Sequence, residues 1–392
     1  MSDAAESATA VGQAPMDSRY LSLDALRGFA VMGILAMNIV AFAMPSMAYM
    51  SPVVYGDAGS ADVGAWLVSY MLVDGKMRGL FSLLFGASMM LVIERAEMKG
   101  ENAARIHYSR MVWLALFGLF HFFFIWWGDI LFLYAAIGSL AFLFRHRTPE
   151  RLISLALMIY FVGAVLWTAL MGSLFFLENA ALAPGADAET VRSYEEMMEG
   201  FPFSAEKVAE EVAIHRGGYA DIVAHEFTNT ALQPLTSVLQ AGFETLPLML
   251  LGMALLKNGF MLGEWKVAAY LRIAAWLLPI GLAITGAIAW IVIASGFDPL
   301  TVMNAAIAWT YPPRLMMTIG YAALLAILIG RFAASPVMAR VAATGRAAFT
   351  NYLGTSIVMT TIFYGYGLGL YGEVGRIELY LFVLGAWALM LL

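Results

Sequence analysis

The sequence predicts an all-α fold, a polytopic membrane helical bundle of about ten spans with both termini cytoplasmic. Three observations lead there. Of the 392 residues, 61% are hydrophobic and 13% charged, a balance that no water-facing surface can carry, and the mean hydropathy is +0.78. Apolar runs long enough for ~30 Å of hydrocarbon recur between charged clusters. Lys and Arg crowd into alternate connections, as they do on the cytoplasmic side of membrane proteins.

The runs fall near 24–44, 78–95, 109–128, 130–146, 152–177, 232–256, 267–294, 313–331, 348–369 and 376–392. Residues 63–75 are too short to cross and end in Asp74-Gly75-Lys76, so they read as an interfacial or re-entrant helix. Basic connections hold Arg95, Lys99, Arg105 and Arg110; then Arg145, Arg147 and Arg151; then Lys257, Lys266 and Arg272; then Arg331, Arg340 and Arg346. The intervening connections are acidic or nearly uncharged, at Asp57 and Asp62, Asp129, Asp298 and Glu373.

Four segments follow. Residues 1–18, polar and without Lys or Arg, lack the basic start and apolar stretch of a signal peptide and read as a disordered cytoplasmic tail. Residues 19–177 form an N-terminal five-span half and 232–392 a C-terminal five-span half. Between them, 178–231 holds 11 of the 28 acids and reads as an acidic extracytoplasmic cap. Ser204, and the Thr190/Ser193 cluster, are expected N-caps of two short surface helices there. The formal net charge of -6 makes nucleic acid an unexpected partner, and the lack of cysteine excludes disulfides and thiolate nucleophiles.

At 1.5 Å of rise per residue, depth can be counted from the nearest cytoplasmic charges. Asn38 comes out at roughly 21 Å, His121 at roughly 16 Å, Glu244 at roughly 20 Å, and Arg78 and Arg314 at roughly 25 Å. All five fall in the outer half. Ionisable groups at that depth are costly and tend to lie on substrate paths. Each also has a plainer explanation. His121 is a neutral imidazole caged by aromatics, or a base. Asp129 caps the next helix, or orients His121. Lys76 and Arg78, cations on the outer side, meet a bound anion or an interior carboxylate. Arg314 follows Pro312-Pro313 and opens a helix, or binds substrate. Glu244 sits beside Pro247, which frees backbone groups, an arrangement common in cavities. His215 and His225-Glu226 match no metal spacing, so no metal site is expected. The glycines of YGYGLGLYGEVG read as packing and turn positions rather than a phosphate cradle.

RYLSLDALRGFAVMGILAMNI (19–39), KMRGLFSLLFGASM (76–89), HFFFIWWGDILFLYA (121–135) and GRAAFTNYLGTSIVMTTIFYGYGLGLYG (345–372) together resemble the blocks of the YeiB-like family of bacterial inner-membrane proteins, in order along nearly the whole chain. The resemblance implies a multi-pass inner-membrane location and a chain that continues past residue 392 into a basic, aromatic tail. The pattern Asp24, Arg27-Gly28, Asn38 is also similar to heparan-α-glucosaminide N-acetyltransferase and the transmembrane acyltransferase superfamily. That similarity implies acyl-CoA or acetyl-CoA as co-substrate and a small-molecule or extracytoplasmic glycan acceptor. Asn38 would then contact the acceptor or acyl carbonyl, with Asp24 and Arg27 in the packing or at the coenzyme entrance. The acetyltransferase's histidine, which closely follows that asparagine, is absent from this chain.

Under that reading His121, Asp129 and Asn38 are the catalytic candidates, since acyl transfer needs a base and an oxyanion donor. Lys76, Arg78, Glu244, Arg314, Asn351 and Tyr352 are the substrate contacts. The alternatives are a proton-coupled transporter of a small anionic solute and a non-catalytic assembly or sensing protein that uses the cap. The lipid bilayer and a second copy, in a homodimer, complete the expected partners.

Overall fold

A computed structural model describes residues 16–56, 59–201 and 203–392. The tail expected over 1–18 lies, up to residue 15, outside the described residues. Helices account for the architecture, and no strand occurs among the described residues. Six helical stretches are long and apolar enough to cross a membrane: Leu21–Ala43, Ser60–Met98, Pro149–Ala181, Gln233–Lys257, Val267–Ala294 and Tyr311–Phe332. The runs near 130–146, 348–369 and 376–392 form shorter pieces, among them Leu131–Ala141, Ala348–Phe363 and Leu379–Met390, and the run near 109–128 lies in Ala103–Phe124.

The first helix, Met16–Ala43, is the axis of the molecule. Most of its apolar stretch is buried, and it packs against Lys76–Met98, Pro336–Arg346 and Ala348–Phe363. Pro149–Ala181 and Val267–Ala294 instead leave most of their side chains on the outside, where exposed Phe161, Leu166, Trp276 and Trp290 suit contact with lipid tails. One apolar core, including Leu23, Leu26, Leu83, Leu84, Met249 and Met253, fills the half of the bundle nearer the basic connections.

Helices Lys76–Met98 and Gln233–Lys257 approach to backbone contact through a reciprocal glycine pair. A Cβ on Gly86 would stand 2.0 Å from the Met249 carbonyl oxygen, and one on Gly252 would stand 1.9 Å from that of Leu83. Only glycine permits this spacing, which brings Arg78 and Glu244, farther along the same helices, within reach of each other.

The stretch expected to be interfacial forms Ser60–Leu72, and the chain breaks at 73–75 before Lys76–Met98 begins. Gly75 adopts φ +70°, and a Cβ there would lie 2.3 Å from Arg314 Nε. The cap contains three helices rather than the two expected: Ala188–Glu199, Ala205–His215 and Tyr219–Asn229. Ser204 caps the second by accepting from the Lys207 N–H, as expected. The first is capped by Asp187, whose Oδ1 accepts from the Thr190 N–H at 2.8 Å; the expected Thr190/Ser193 cluster lies inside the helix because a carboxylate three residues earlier was the better acceptor. The third starts at Gly218, with Asp221 Oδ2 accepting from the Gly218 N–H at 3.2 Å.

Candidate functional site

A chamber of about 900 Å³ lies between the membrane helices and the cap. Its lower wall draws on Asn38 of the first helix, Tyr49, Asp74, Arg78, Glu244 and Arg314; its roof draws on cap residues including Lys207, Glu210, Glu211, His215, His225 and Glu226.

Glu244 anchors the floor. Arg314 Nη1 donates to both its carboxylate oxygens at 3.0 Å, and Arg78 Nη2 donates to Oε2. Arg314 is completed by the Ala306 carbonyl at 2.7 Å and Thr310 Oγ1 at 2.8 Å. Those acceptors are presented by a π-helical turn, Ala305–Trp309, and by Thr310 that follows it, just before Pro312 and Pro313, which have no N–H for the preceding carbonyls. Arg314 and Glu244 side chains are nearly enclosed, at 8% and 6% exposed, whereas Arg78 keeps 24% of its side chain exposed. Its guanidinium is therefore the cation that the floor presents. Beside it, the Tyr49 hydroxyl donates to Asp74.

Lys76, expected as a substrate contact, does not line the chamber. It is 2% exposed and donates to the Tyr70 carbonyl, also lying over the Tyr70 ring. A backbone acceptor within its own turn region has claimed it.

His121 and Asp129 meet, but not in the chamber. The helix ends at Phe124, the Ile125 and Trp126 N–H groups fold back onto the His121 carbonyl, and this turn brings the side chains into a direct bond, Nδ1 to Oδ1 at 3.0 Å. Asp129 Oδ2 accepts from the Phe132 N–H at 2.9 Å, capping the following helix. His121 is wholly enclosed, and its Nε2 has no partner. Trp126, Gly128 and Ile130 form the chamber wall here, so the imidazole does not reach a substrate in the chamber as it stands. Tyr352 backs the same wall, its hydroxyl accepting from Ile130 N–H at 3.3 Å and its ring 5.1 Å from that of His121. Asn351 donates to the Thr344 carbonyl at 3.0 Å. Neither Asn351 nor Tyr352 lines the chamber.

Asp24 and Arg27, the coenzyme candidates, lie at the other end of the first helix. Arg27 Nη1 donates to Asp24 at 3.0 Å and Nη2 to Ser88 Oγ at 2.7 Å, with Arg346 at 3.9 Å from Asp24. The cluster ties three helices together and does not contribute to the chamber lining.

Of the roof, sequence reasoning weighed His215 and His225-Glu226 only against metal spacings, and it did not single out Glu211. Glu211 accepts from the Ser46 N–H at 2.7 Å and the Ser46 hydroxyl at 3.0 Å; burial pushes its carboxyl up, against those two donors. Burial likewise raises Glu226, which accepts from the Thr230 hydroxyl. His215 donates through Nδ1 to the Glu211 carbonyl at 2.8 Å and stacks on Tyr371 at 4.7 Å. Its Nε2 is buried without a partner, and burial brings its pKa down to about 4. Among the described residues no three His, Cys, Asp or Glu side chains are grouped to hold a metal ion. The glycine-rich segment pins the cap: the Gly365 N–H donates to the His215 carbonyl at 2.8 Å, Arg216 Nε to the Tyr371 carbonyl at 2.9 Å, and Arg216 Nη2 pairs with Glu373 at 2.5 Å.

Residues 255–392 match the family model described as a protein of unknown function (DUF418). The chain is 28% identical over 383 residues to the uncharacterized protein YeiB of Escherichia coli (strain K12), covering 94% of this chain and 89% of that one. It is 32% identical over 364 residues to the uncharacterized protein YxaH of Bacillus subtilis (strain 168), covering 90% and 83%. A third relative, an uncharacterized 39.9 kDa protein in the amylase 3' region of Bacillus acidopullulyticus, is 30% identical over 184 residues, 46% of this chain and 49% of that one. No solved structure matches. Similarity at this level along most of both chains makes this protein a member of the YeiB-like family.

Proposed function

We propose that this protein is a membrane acyltransferase whose acceptor binds in the chamber, with the cap on the extracytoplasmic side of the inner membrane. The observation that carries the reading is the chamber itself, in which donors from separate helices, the Asn38 amide and the open edge of Arg78, line one volume large enough for a head group or sugar. In the reaction an acceptor oxygen or nitrogen attacks the thioester carbonyl of an acyl-CoA. A C–O or C–N bond forms, the C–S bond breaks, and the acceptor's proton is passed on so that the thiol leaves. Donors fixed in advance around the developing oxyanion lower that barrier, and Asn38 is the group suited to it.

Full-length protein in lipid nanodiscs, given acetyl-CoA labelled in the acetyl group, should transfer label to an envelope component, and coenzyme A should raise its melting temperature. Absence of both effects removes the reading. The second reading, a carrier of a small solute, draws support from the ion cluster beside Pro247 and the π-turn, where freed backbone permits rearrangement. It expects solute flux into sealed proteoliposomes without any coenzyme.

A further inference from the structure

Exposed lining residues mark two edges of the chamber. One is at the cap, where lining residues Lys207 and Glu210 are exposed. The other is on the flank, between helices Pro149–Ala181 and Gln233–Lys257. There the lining includes Trp167 of the first helix and Gln233 and Gln240 of the second, with Asn229 above; Gln240 and Asn229 are exposed.

The rim of this flank opening is apolar. On Gln233–Lys257 the chamber-facing stripe Gln233, Gln240, Glu244 lies next to a second stripe, Leu232, Leu235, Leu239 and Phe243, at helical spacing. Leu239 is 73% exposed and Leu235 56%. Across the gap, exposed Leu166 and Leu170 flank Trp167. The two helices touch one turn deeper, where a Cβ on Gly163 would stand 2.7 Å from Phe243 Cβ. Counted from Arg151 and Lys257, Trp167 and Gln240 both stand roughly 24–26 Å up, among the outermost acyl chains just beneath the head groups of a bilayer with ~30 Å of hydrocarbon. Polar chamber residues that meet the acyl-chain layer there give a lipid a way in, with its head group inside the chamber and its chains left on the apolar rim.

The lining charges narrow the head group. Arg78, Arg314 and Lys207 are cationic; Asp74, Glu210, Glu211, Glu226 and Glu244 are anionic. Arg314 is fully engaged on the floor and Lys207 and Glu210 pair with each other at 3.1 Å, so Arg78 alone offers itself to a phosphate, and the carboxyls left above it are those of Glu211 and Glu226. We infer that the chamber takes the head group of an amine-bearing phospholipid, admitted sideways between Trp167 and Gln240, with its phosphate toward Arg78 and its ammonium toward the acidic roof. The inference deepens the acyltransferase reading by naming the acceptor class.

Because the chain has no cysteine, Gln240→Cys introduces a single thiol at the opening, and Asn229→Cys serves if that variant folds poorly. The rate of maleimide labelling is measured on full-length protein in phosphatidylglycerol nanodiscs, with and without phosphatidylethanolamine, and with soluble phosphoethanolamine in place of the lipid. Phosphatidylethanolamine is expected to slow labelling about tenfold, the factor for nine-tenths occupancy, with no slowing by the soluble head group and none at Ile291→Cys on the lipid-facing helix Val267–Ala294. Equal rates in the two lipids overturn the proposal. So does equal protection by soluble phosphoethanolamine, which would make the ligand a free amine, or equal slowing at Ile291→Cys, which would make the effect general to the bilayer. No acyl donor enters the measurement, so protection without any coenzyme-dependent transfer would remove the enzyme and keep the lipid site, and transfer without protection would do the reverse.

Discussion

Two ionisable clusters sit at similar depth in this protein and have opposite surroundings. Arg78, Glu244 and Arg314 form the floor of a large chamber, and Arg78 keeps an exposed edge. His121 and Asp129 form an equally direct pair sealed behind Trp126, Gly128 and Ile130. Depth in a membrane sets what a charge costs. Whether that cost is met by a ligand or by the fold depends on which wall the side chain faces.

The comparison can be broken at its strongest point by Glu244→Ala. Removing the carboxylate leaves two guanidinium groups without their shared partner, and should cost about 3–5 kcal/mol, the range for breaking a buried ion pair, read as a loss of thermal stability in detergent. A loss below 1 kcal/mol would mean that water in the chamber already screens the cluster.

A second test turns on pH. An unfolded chain takes up a proton on His215 near pH 6.5, whereas the folded cap refuses it until about pH 4. Stability therefore falls as pH drops through that window, by on the order of 2–3 kcal/mol. Glu211 and Glu226 act in the opposite direction, because their raised carboxyls lose stability as pH rises out of the ordinary carboxylate range. His225, Tyr364 and Tyr371 are the other titratable neighbours. Amide protection factors in 205–229, corrected for the intrinsic pH dependence of exchange, should fall between pH 7 and pH 5 in the native protein, and His215→Gln should flatten that change.

His121→Ala should cost about 2 kcal/mol by orphaning Asp129 while leaving ligand protection at Gln240→Cys intact. Asn38→Ala should do the reverse, with stability nearly unchanged and acyl transfer reduced. If the two variants exchange behaviours, the sealed pair is the working one. Asn351→Ala should show the smallest effect, about 1 kcal/mol for its bond to the Thr344 carbonyl, with transfer preserved.

Much of the floor was legible in the sequence, because rise per residue is constant in a helix. Glu244, Arg78 and Arg314 counted to similar heights, and three charges at one height in lipid must find each other. The all-helical class followed from composition in the same direct way. Lys76 was misread as a substrate contact because depth counting does not show when a side chain can turn back onto a carbonyl of its own region. For His121 and Asp129, eight residues apart, the sequence left open whether Asp129 caps the next helix or orients the imidazole; the chain reversal at Ile125 and Trp126 lets it do both. The roof could not be read. Glu211 and His215 are held at the chamber through contacts with Ser46 and with 364–373, and such pairings across about 150 residues leave no periodic trace.

The ties on either side of the cap bear on how traffic could move. Glu211 is bound to Ser46, just past the end of the first helix, and Arg216 and His215 are bound to the segment before the last one, so the roof is bolted at two points far apart in the chain. Swinging it open would break a charge-assisted pair and several backbone bonds together. The hinge-like parts of this molecule are therefore lower down, at Pro247 and the π-turn, and any gating stroke is expected there while the canopy stays still.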